Sequence, residues 1–389
     1  MRKIYLDNSA TTYVSNEVLT EMLPVFNTVY GNPNSLHGFG REALALLDAA
    51  RDKVAAAIGA SRGEIYFTSG GTEANNWAIR GLAIANSAKG NHIITSKIEH
   101  HSVLEACKAL EKIGFKVTYL DVDKYGLVSI PDLLHYINDK TVLVSIMAAN
   151  NEIGTVQNLQ TIAKIAHEKG VVFHTDAVQA IGAVNIDVGA MNLDALSLSA
   201  HKIYGPKGIG VLYVKKGIKI EPIIYGGSQE KGKRGGTSNV AGAVGLGKAI
   251  EIAVRDLSVN SQKLKAMREY FVKKVSEQIE DISINGHPAQ RLPGVVNISF
   301  HFIEGESLML LLDMDGIAVS TGSACSSGSL EPSHVLVAIG TPPEYAQGSI
   351  RFSFGKSTTR EEVDYVVESL KKNVKKLREM SPLNRKSPK

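Results

Sequence analysis

Between about residue 60 and residue 215, short runs rich in β-branched and aliphatic residues alternate with longer stretches of helical period. The runs Ile65-Tyr66-Phe67, His92 to Thr95, Lys116 to Leu120, Val142 to Met147, Val171 to His174, Ala195 to Leu198 and Ile209 to Val214 read as strands. Thr72 to Ser87, Ser102 to Ile113 and Leu159 to Lys169 carry apolar residues at helical spacing. An earlier helix is predicted over Arg41 to Ile58, with Leu44, Leu47, Val54 and Ile58 near one face. Strands alternating with helices predict an α/β fold, a mostly parallel sheet between helices. Ligands of such sheets bind beyond the carboxyl ends of the strands.

After Val214 the texture changes. Gly226 to Gly236 is glycine-rich and charged and reads as an exposed loop. Val240 to Val254 and Leu257 to Ile279 are helical patterns. A strand over Val295 to Phe300, a helix over Glu306 to Met314, a loop from Thr321 to Pro332, a strand over Ser349 to Phe354 and a helix from Arg360 to Glu379 follow. This second part predicts a smaller α+β domain. The expected division is a large domain over 17–255 and a small domain from 1–16 and 256–389.

A chain of 389 residues fits two domains. With 44% hydrophobic and 21% charged residues it has the usage of a soluble globular protein, which excludes disorder and coiled coil. No run reaches the roughly 18 apolar residues of a membrane span, and Met1 to Asn8 lacks the apolar core of a secretory signal. The net charge of +4 is small and forms no basic face interleaved with aromatics, so no direct nucleic-acid partner is expected. Two cysteines, Cys107 and Cys325, exclude a disulfide framework and point to a reducing, cytoplasmic setting. No Cys/His cluster has zinc spacing, so no resident metal is expected.

The chemistry-bearing residues gather at predicted strand ends. Ser199-Ala200-His201-Lys202 ends one strand; a lysine desolvated there suits imine chemistry, and the serine and histidine beside it can hold a phosphate. Its plainer reading is a surface lysine in a polar loop. Asp176, in His174-Thr175-Asp176, could pair with a pyridinium nitrogen or simply cap a helix. Ser69-Gly70-Gly71-Thr72-Glu73-Ala74-Asn75-Asn76 joins a strand to a helix, where bare amides make an anion site, or only a capped turn. His100-His101 follows another strand, where an imidazole could stack on a planar ring or shuttle protons. In Asn150-Asn151-Glu152-Ile153-Gly154-Thr155, side-chain amides could reach a ring oxygen or a substrate carboxylate. Arg351, alternating with apolar neighbours on a strand, could grip a carboxylate or form a structural ion pair. Cys325 stands among small polar residues, Thr321 to Ser329, a composition that predicts a mobile loop and a reachable sulfur; Cys107 reads as a small core residue of a helix. A phosphate cradle, a ring-pairing acid and an imine lysine in consecutive strand–helix units are the parts of a pyridoxal-phosphate site.

The chain resembles the class V, fold-type I pyridoxal-phosphate enzymes, and among them the NifS/IscS-type cysteine desulfurases. The motifs that carry the resemblance are Leu6-Asp7-Asn8-Ser9-Ala10-Thr11-Thr12, Gly31-Asn32-Pro33-Asn34-Ser35, Thr68 to Asn76, Asn150 to Thr155, Ser199 to Lys202, Arg234-Gly235-Gly236-Thr237, Ser323-Ala324-Cys325 and Leu330-Glu331-Pro332-Ser333. The resemblance implies pyridoxal 5'-phosphate in imine linkage to Lys202, with His100 stacked on its ring, Asp176 on the ring nitrogen and Gln179 on the ring hydroxyl. It implies phosphate contacts from Gly71, Thr72, Ser199 and His201. Thr237 would reach the phosphate of a neighbouring subunit, which implies a homodimer. Asn151 and Arg351 would bind the carboxylate of L-cysteine, and Cys325 would take its sulfur as a persulfide. The segment running on to Leu330-Glu331-Pro332 resembles the group with a mobile cysteine loop, not the short-loop group that includes selenocysteine lyases. The implied partner is a sulfur-acceptor protein such as an iron–sulfur scaffold, on which Cys325 would meet a cluster only transiently. Members of the group often extend beyond the position of Ser381-Pro382-Leu383 to dock a scaffold; few residues follow here, and the acceptor is left open. The alternative reading is a class V aminotransferase or a selenocysteine lyase-like activity, which needs no Cys325.

Overall fold

The computed structural model describes residues 2–321 and 332–382. Among these, seven strands form the main sheet: β1 (Ile65–Thr68), β2 (His92–Ser96), β3 (Lys116–Leu120), β4 (Thr141–Ser145), β5 (Val172–Asp176), β6 (Ala195–Ser199) and β7 (Gly210–Val214). Their spatial order is β1-β7-β6-β5-β4-β2-β3. All pairs are parallel except those of β7, which runs antiparallel to both β1 and β6. The strands therefore end on one edge wherever a helical segment follows, and the predicted site residues follow those ends.

The expectation of a mostly parallel sheet between helices holds. β2, β4 and β6 are buried at every position, as strands covered on both faces require. The helix Gly38–Ile58 packs on the sheet through Leu47, Ala50, Val54 and Ile58, and through Ala43 against Val240 and Val244. Leu44 was expected on that face but is 41% exposed. At 3.6 residues per turn the stripe runs through Ala43, and Leu44 lies about 100° around the helix. Among the described residues four α-helices were not anticipated, Asn16–Asn27, Ile130–Tyr136 and the short His334–Ala338 and Pro343–Ala346. The stretch predicted over Thr72 to Ser87 is continuous but not uniform: Gly71–Asn76 is α-helical, Trp77–Gly81 is a π turn, and Leu82–Ala85 returns to α.

A second apolar cluster gathers Phe271, Val296, Ile298, Leu308, Phe352, Val363 and Leu370, and the amino-terminal Ile4 and Leu6 join it. It is built on a four-stranded antiparallel sheet in which Val295–Phe300 lies between Ile282–Asn285 and Ser349–Ser353, with Ser320–Thr321 at the edge. Ile4–Tyr5 pairs in parallel with Ile317–Ala318. The chain then runs from Asp7 to Thr12 across to the main sheet, where Thr12 donates its backbone N–H and its hydroxyl to the His201 carbonyl. This crossing segment puts Ser9 and Ala10 over the strand ends. No described helix is long and apolar enough to cross a membrane.

Candidate active site

At the carboxyl edge of the main sheet lies a cavity of about 320 Å³. Ten of the residues singled out in the sequence line it: Gly71, Thr72, His100, Asn151, Asp176, Gln179, Ser199, His201, Lys202 and Arg351. Asp176 is the last residue of β5 and Ser199 the last of β6, followed by the single 3₁₀ turn Ala200–Lys202 that carries His201 and Lys202. Gly71 and Thr72 open the helix after β1, where the first amides have no acceptor within the helix. Gly70 has φ 155°, ψ −177°, a conformation open essentially to glycine alone. A Cβ on Gly71 would stand 2.7 Å from Val178 Cγ2. The turn can pass the cavity only as bare backbone.

A hydrogen-bonded chain crosses the cavity wall. Asn75 Nδ2 donates to Asp176 Oδ2 (2.7 Å) and to Ser102 Oγ (2.8 Å). Ser102 Oγ in turn bonds His100 Nδ1 at 2.8 Å, and the Ser102 amide donates to the same nitrogen at 3.1 Å. Two donors on Nδ1 put the imidazole proton on Nε2. Burial, reinforced by the neighbouring Lys202 and His101, pulls the His100 pKa below the ordinary value against the pull of Asp176, so the ring is held neutral. Asp176 Oδ1 accepts from the Val178 amide (2.9 Å). Asp176 thus caps a turn, not the helix start weighed for it, and also lines the cavity.

His201 is neutral for a similar reason: burial first, then Lys202 and Lys207, push its pKa down to about 4. Its Nδ1 bonds Thr11 Oγ1 at 3.1 Å. Lys202 Nζ donates to the carbonyls of Ser9 and Ala10 (2.8 Å to the latter), and Gln179 Nε2 donates to the Ser9 carbonyl at 2.9 Å. Arg351 comes from the other sheet. Its Nη1 donates to the Asn151 carbonyl (3.0 Å) and its Nη2 to Asp7 Oδ1 (2.8 Å), while its buried Nε has no partner among the described residues. Asn75 Oδ1 is likewise buried and unpartnered. Ser9, Asn75 and Ser102 were not singled out by role in the sequence. Their one signal was position: Asn75 sits one turn past Gly71, and Ser102 two residues past His100.

Two expected residues are not in this cavity. Thr237 is exposed and lines a separate cavity of about 220 Å³ with Thr68, Ser69 and Arg234, behind the same Gly70-Gly71 turn. Cys325 lies outside the described residues. Both flanks of that stretch are anchored at the cavity. Ser320 pairs with Arg351 across the sheet. On the other side Ser333 Oγ donates to the Glu152 carboxylate, and His334 Nε2 bonds the Glu99 carbonyl at 3.0 Å with its ring 4.8 Å from that of His101. Cys107 is in the core of the helix His101–Glu111, and burial pushes its thiol up to about 12, so it is inert.

Glu99 and Glu152 are fully buried carboxyls beside the cavity. Burial raises Glu99 to about 8, against hydrogen bonds from Ser96 and the Met147 amide, and raises Glu152 to about 7, against Ser333 and Arg351. Below the ordinary 4.5 both states of the chain hold these protons. Above it the unfolded chain releases them and the folded chain does not, so their contribution falls as pH rises and levels off past the folded values. Their contribution to apoprotein stability is expected to fall between pH 5 and pH 8, opposite in sign to that of the buried neutral histidines, and Glu152→Gln should remove on the order of 1–3 kcal/mol of that fall. Urea titrations across this range, variant against parent, measure it; equal slopes would contradict the assignment.

The chain matches the family described as aminotransferase class-V over residues 4–366. It is 53% identical over 381 residues to the cysteine desulfurase IscS of Dictyoglomus turgidum, covering 98% of this chain and 97% of that protein. A solved NifS-like protein superposes with a TM-score of 0.92 at 41% identity, over 97% of this chain and all of that one. A structure of SspA in complex with cysteine superposes with a TM-score of 0.81 at 39% identity, over 90% of this chain and 99% of that one. With the lysine, the carboxylate and the neutral histidines gathered at the sheet edge, this similarity settles the assignment: the chain belongs to the class V aminotransferase family and, within it, to the pyridoxal-phosphate-dependent cysteine desulfurases of the NifS/IscS type.

Proposed function

We propose that this cavity takes L-cysteine, releases L-alanine, and hands the sulfur to an acceptor protein through a persulfide on Cys325. The observation that carries the reading is the convergence of Lys202, Asp176, His100 and Arg351, drawn from both sheets, on one cavity of about 320 Å³. The residues fit pyridoxal phosphate. Asp176 offers a buried carboxylate for a ring nitrogen, the Gly70-Gly71 turn offers a cradle that a Cβ would fill, and Arg351 Nε and Asn75 Oδ1 are buried polar atoms still in need of partners. Gly71, Thr72, Ser199 and His201 would hold the phosphate, His100 would stack on the ring, and Gln179 and Asn151 would bond its oxygen substituents. When bound, the cofactor supplies an electron sink for the pair released at the substrate α-carbon.

The chain's own residues do the rest. Lys202 would hold the cofactor covalently, and its amine, when free, would move the proton at the substrate α-carbon. Asn151 and Arg351 grip the substrate carboxylate, and the unpartnered Nε of Arg351 gives that carboxylate a charged donor with no bond to break. The neutral His100 carries its proton on Nε2, where it can be handed on. The Cys325 thiolate attacks the substrate sulfur: an S–S bond forms, the Cβ–S bond breaks with its pair left on carbon, and protonation there gives alanine. The anchoring of Ser320 and Ser333 supports this delivery, because it ties one end of the cysteine-bearing stretch to Arg351 and the other to Glu152, the neighbour of Asn151.

A homodimer is part of this reading. Leu19, Leu23, Phe26, Tyr30, Leu36 and Phe39 expose a contiguous stretch of apolar side chains along the helix Asn16–Asn27 and after it, with Leu36 91% exposed. A patch of this kind suits a second copy. An acceptor that builds iron–sulfur clusters, in a reducing cytoplasm, belongs to the same reading.

The test is product analysis. Cofactor-loaded protein with L-cysteine and a reductant should release alanine and sulfide in equal amounts. Asp176→Ala should retain some cofactor yet lose turnover by at least about 10²-fold. Amino-group transfer to a 2-oxo acid, turnover confined to selenocysteine, or near-normal turnover by Asp176→Ala would overturn the reading.

A further inference from the structure

The segment Gly226 to Gly236 reads in the sequence as an exposed loop, and the structure corrects that at the Glu230 side chain and at the buried Gly235. Glu230 (φ 44°, ψ 44°) and Lys231 (φ 59°, ψ 35°) are consecutive left-handed residues, followed by Gly232 at φ 73°. The other non-glycine residues with positive φ among the described residues stand singly. A Cβ crowds the following carbonyl in this conformation, so two in a row persist only where the surroundings impose them.

What imposes them is a buried fork. The Glu230 carboxylate accepts Arg51 Nη1 (2.7 Å), Arg51 Nη2 (2.8 Å) and the Phe67 amide (3.1 Å). The two side chains are only 10% and 5% exposed. Arg51 also donates to the Ile65 carbonyl at 2.7 Å and lies over the Phe67 ring at 4.7 Å. At the other end of the loop Arg234 forks onto Glu73, the residue after Thr72, and Glu73 in turn accepts the Ser69 amide. Both ends of the loop are thus stapled to the stretch 65–73 that includes the Gly71-Thr72 turn. Three residues past Arg234 the chain presents the exposed Thr237 beside Thr68 and Ser69. A loop serving only as a connection needs neither left-handed residues nor buried charge.

We propose that Arg51 and Glu230 are positioning residues: their ion pair fixes the loop so that Thr237 is held where it can meet the cofactor phosphate of a second copy of this chain. The inference rests on the homodimer reading above and adds to it the device that aims Thr237. A contact across a subunit boundary has no local covalent geometry to set it, so the loop that carries it must be rigid on its own side.

The test measures release of pyridoxal phosphate from the loaded dimer, with dimer mass followed by sedimentation, in Arg51→Lys, Thr237→Ala and the double variant. Lysine keeps the buried cation but cannot fork; Glu230→Gln serves if Arg51→Lys does not fold. Arg51→Lys and Thr237→Ala should each speed release about tenfold, the equivalent of about 1.4 kcal/mol, with dimer mass unchanged. The double variant should be no faster than Thr237→Ala, because both changes remove one contact. Release unchanged in Arg51→Lys but faster in Thr237→Ala overturns the positioning role and leaves the role of Thr237 standing. Additive effects, or release that follows dimer loss, make Arg51 merely structural and overturn it too. Unchanged release in Thr237→Ala overturns the reading of Thr237 and the inference with it.

Discussion

Lys202→Ala abolishes turnover, by roughly 10²–10⁴-fold or more, and leaves the fold intact. The loss is large because one amine is asked both to tether the cofactor and to move the α-proton, and among the described residues no second lysine lines the cavity to replace it. The fold survives because the Ser9 and Ala10 carbonyls that lose Lys202 lie in a segment held by other bonds. The Ser9 carbonyl keeps its bond from Gln179, and the crossing segment keeps Thr12 on the His201 carbonyl and the Ser9 amide on Ser353 Oγ. Borohydride treatment of the loaded parent should fix the cofactor to the peptide that carries Lys202. Label on Lys207 or Lys97, or turnover in the variant, would show the assignment to be wrong.

Cys325→Ser separates binding from sulfur transfer. The variant should bind pyridoxal phosphate and respond spectrally to L-cysteine as the parent does, yet form alanine at least about 10²-fold more slowly. A hydroxyl is far weaker than a thiolate as a nucleophile toward sulfur, and it cannot carry a persulfide. Cys107→Ser is the control. Its thiol is buried and pushed up to about 12, so its loss should touch stability and not chemistry. Full alanine production by Cys325→Ser would favour the aminotransferase or lyase reading.

The residues legible in the sequence were those whose chemistry and position agree. A lysine, an aspartate and a glycine turn at strand ends are rare enough together to mark one edge of the sheet, and the structure brings them to one cavity. Asn75 and Ser102 went unread because neutral polar residues near helix starts look like ordinary caps; only the fold brings the helix after β1 against the one after β2, where Asn75 can bridge Asp176 and Ser102. The helix Asn16–Asn27 was missed for a different reason. Val18, Met22 and Val25 are buried while Leu19, Leu23 and Phe26 are exposed, so the helix is apolar on two faces and shows no clean stripe. Glu230 was hidden by its company: a glycine-rich, charged stretch reads as solvent-facing, and nothing in its composition reports a left-handed turn that swings one carboxylate inward to Arg51. The crossing of the amino-terminal segment, which sets Ser9 and Ala10 against Lys202, depends on contacts some 190 residues apart in the chain, as the Lys202–Ala10 bond illustrates, and no local pattern encodes it.

The central claim is that sulfur leaves cysteine onto Cys325. Peptide mass spectrometry of the cofactor-loaded enzyme, exposed to L-cysteine without reductant, tests it most directly. The account predicts added mass of roughly 32 Da per sulfur atom on the peptide containing Cys325, lost on treatment with a thiol and absent from Lys202→Ala. Added sulfur on Cys107 alone, or alanine formed with no sulfur on either cysteine, would contradict it.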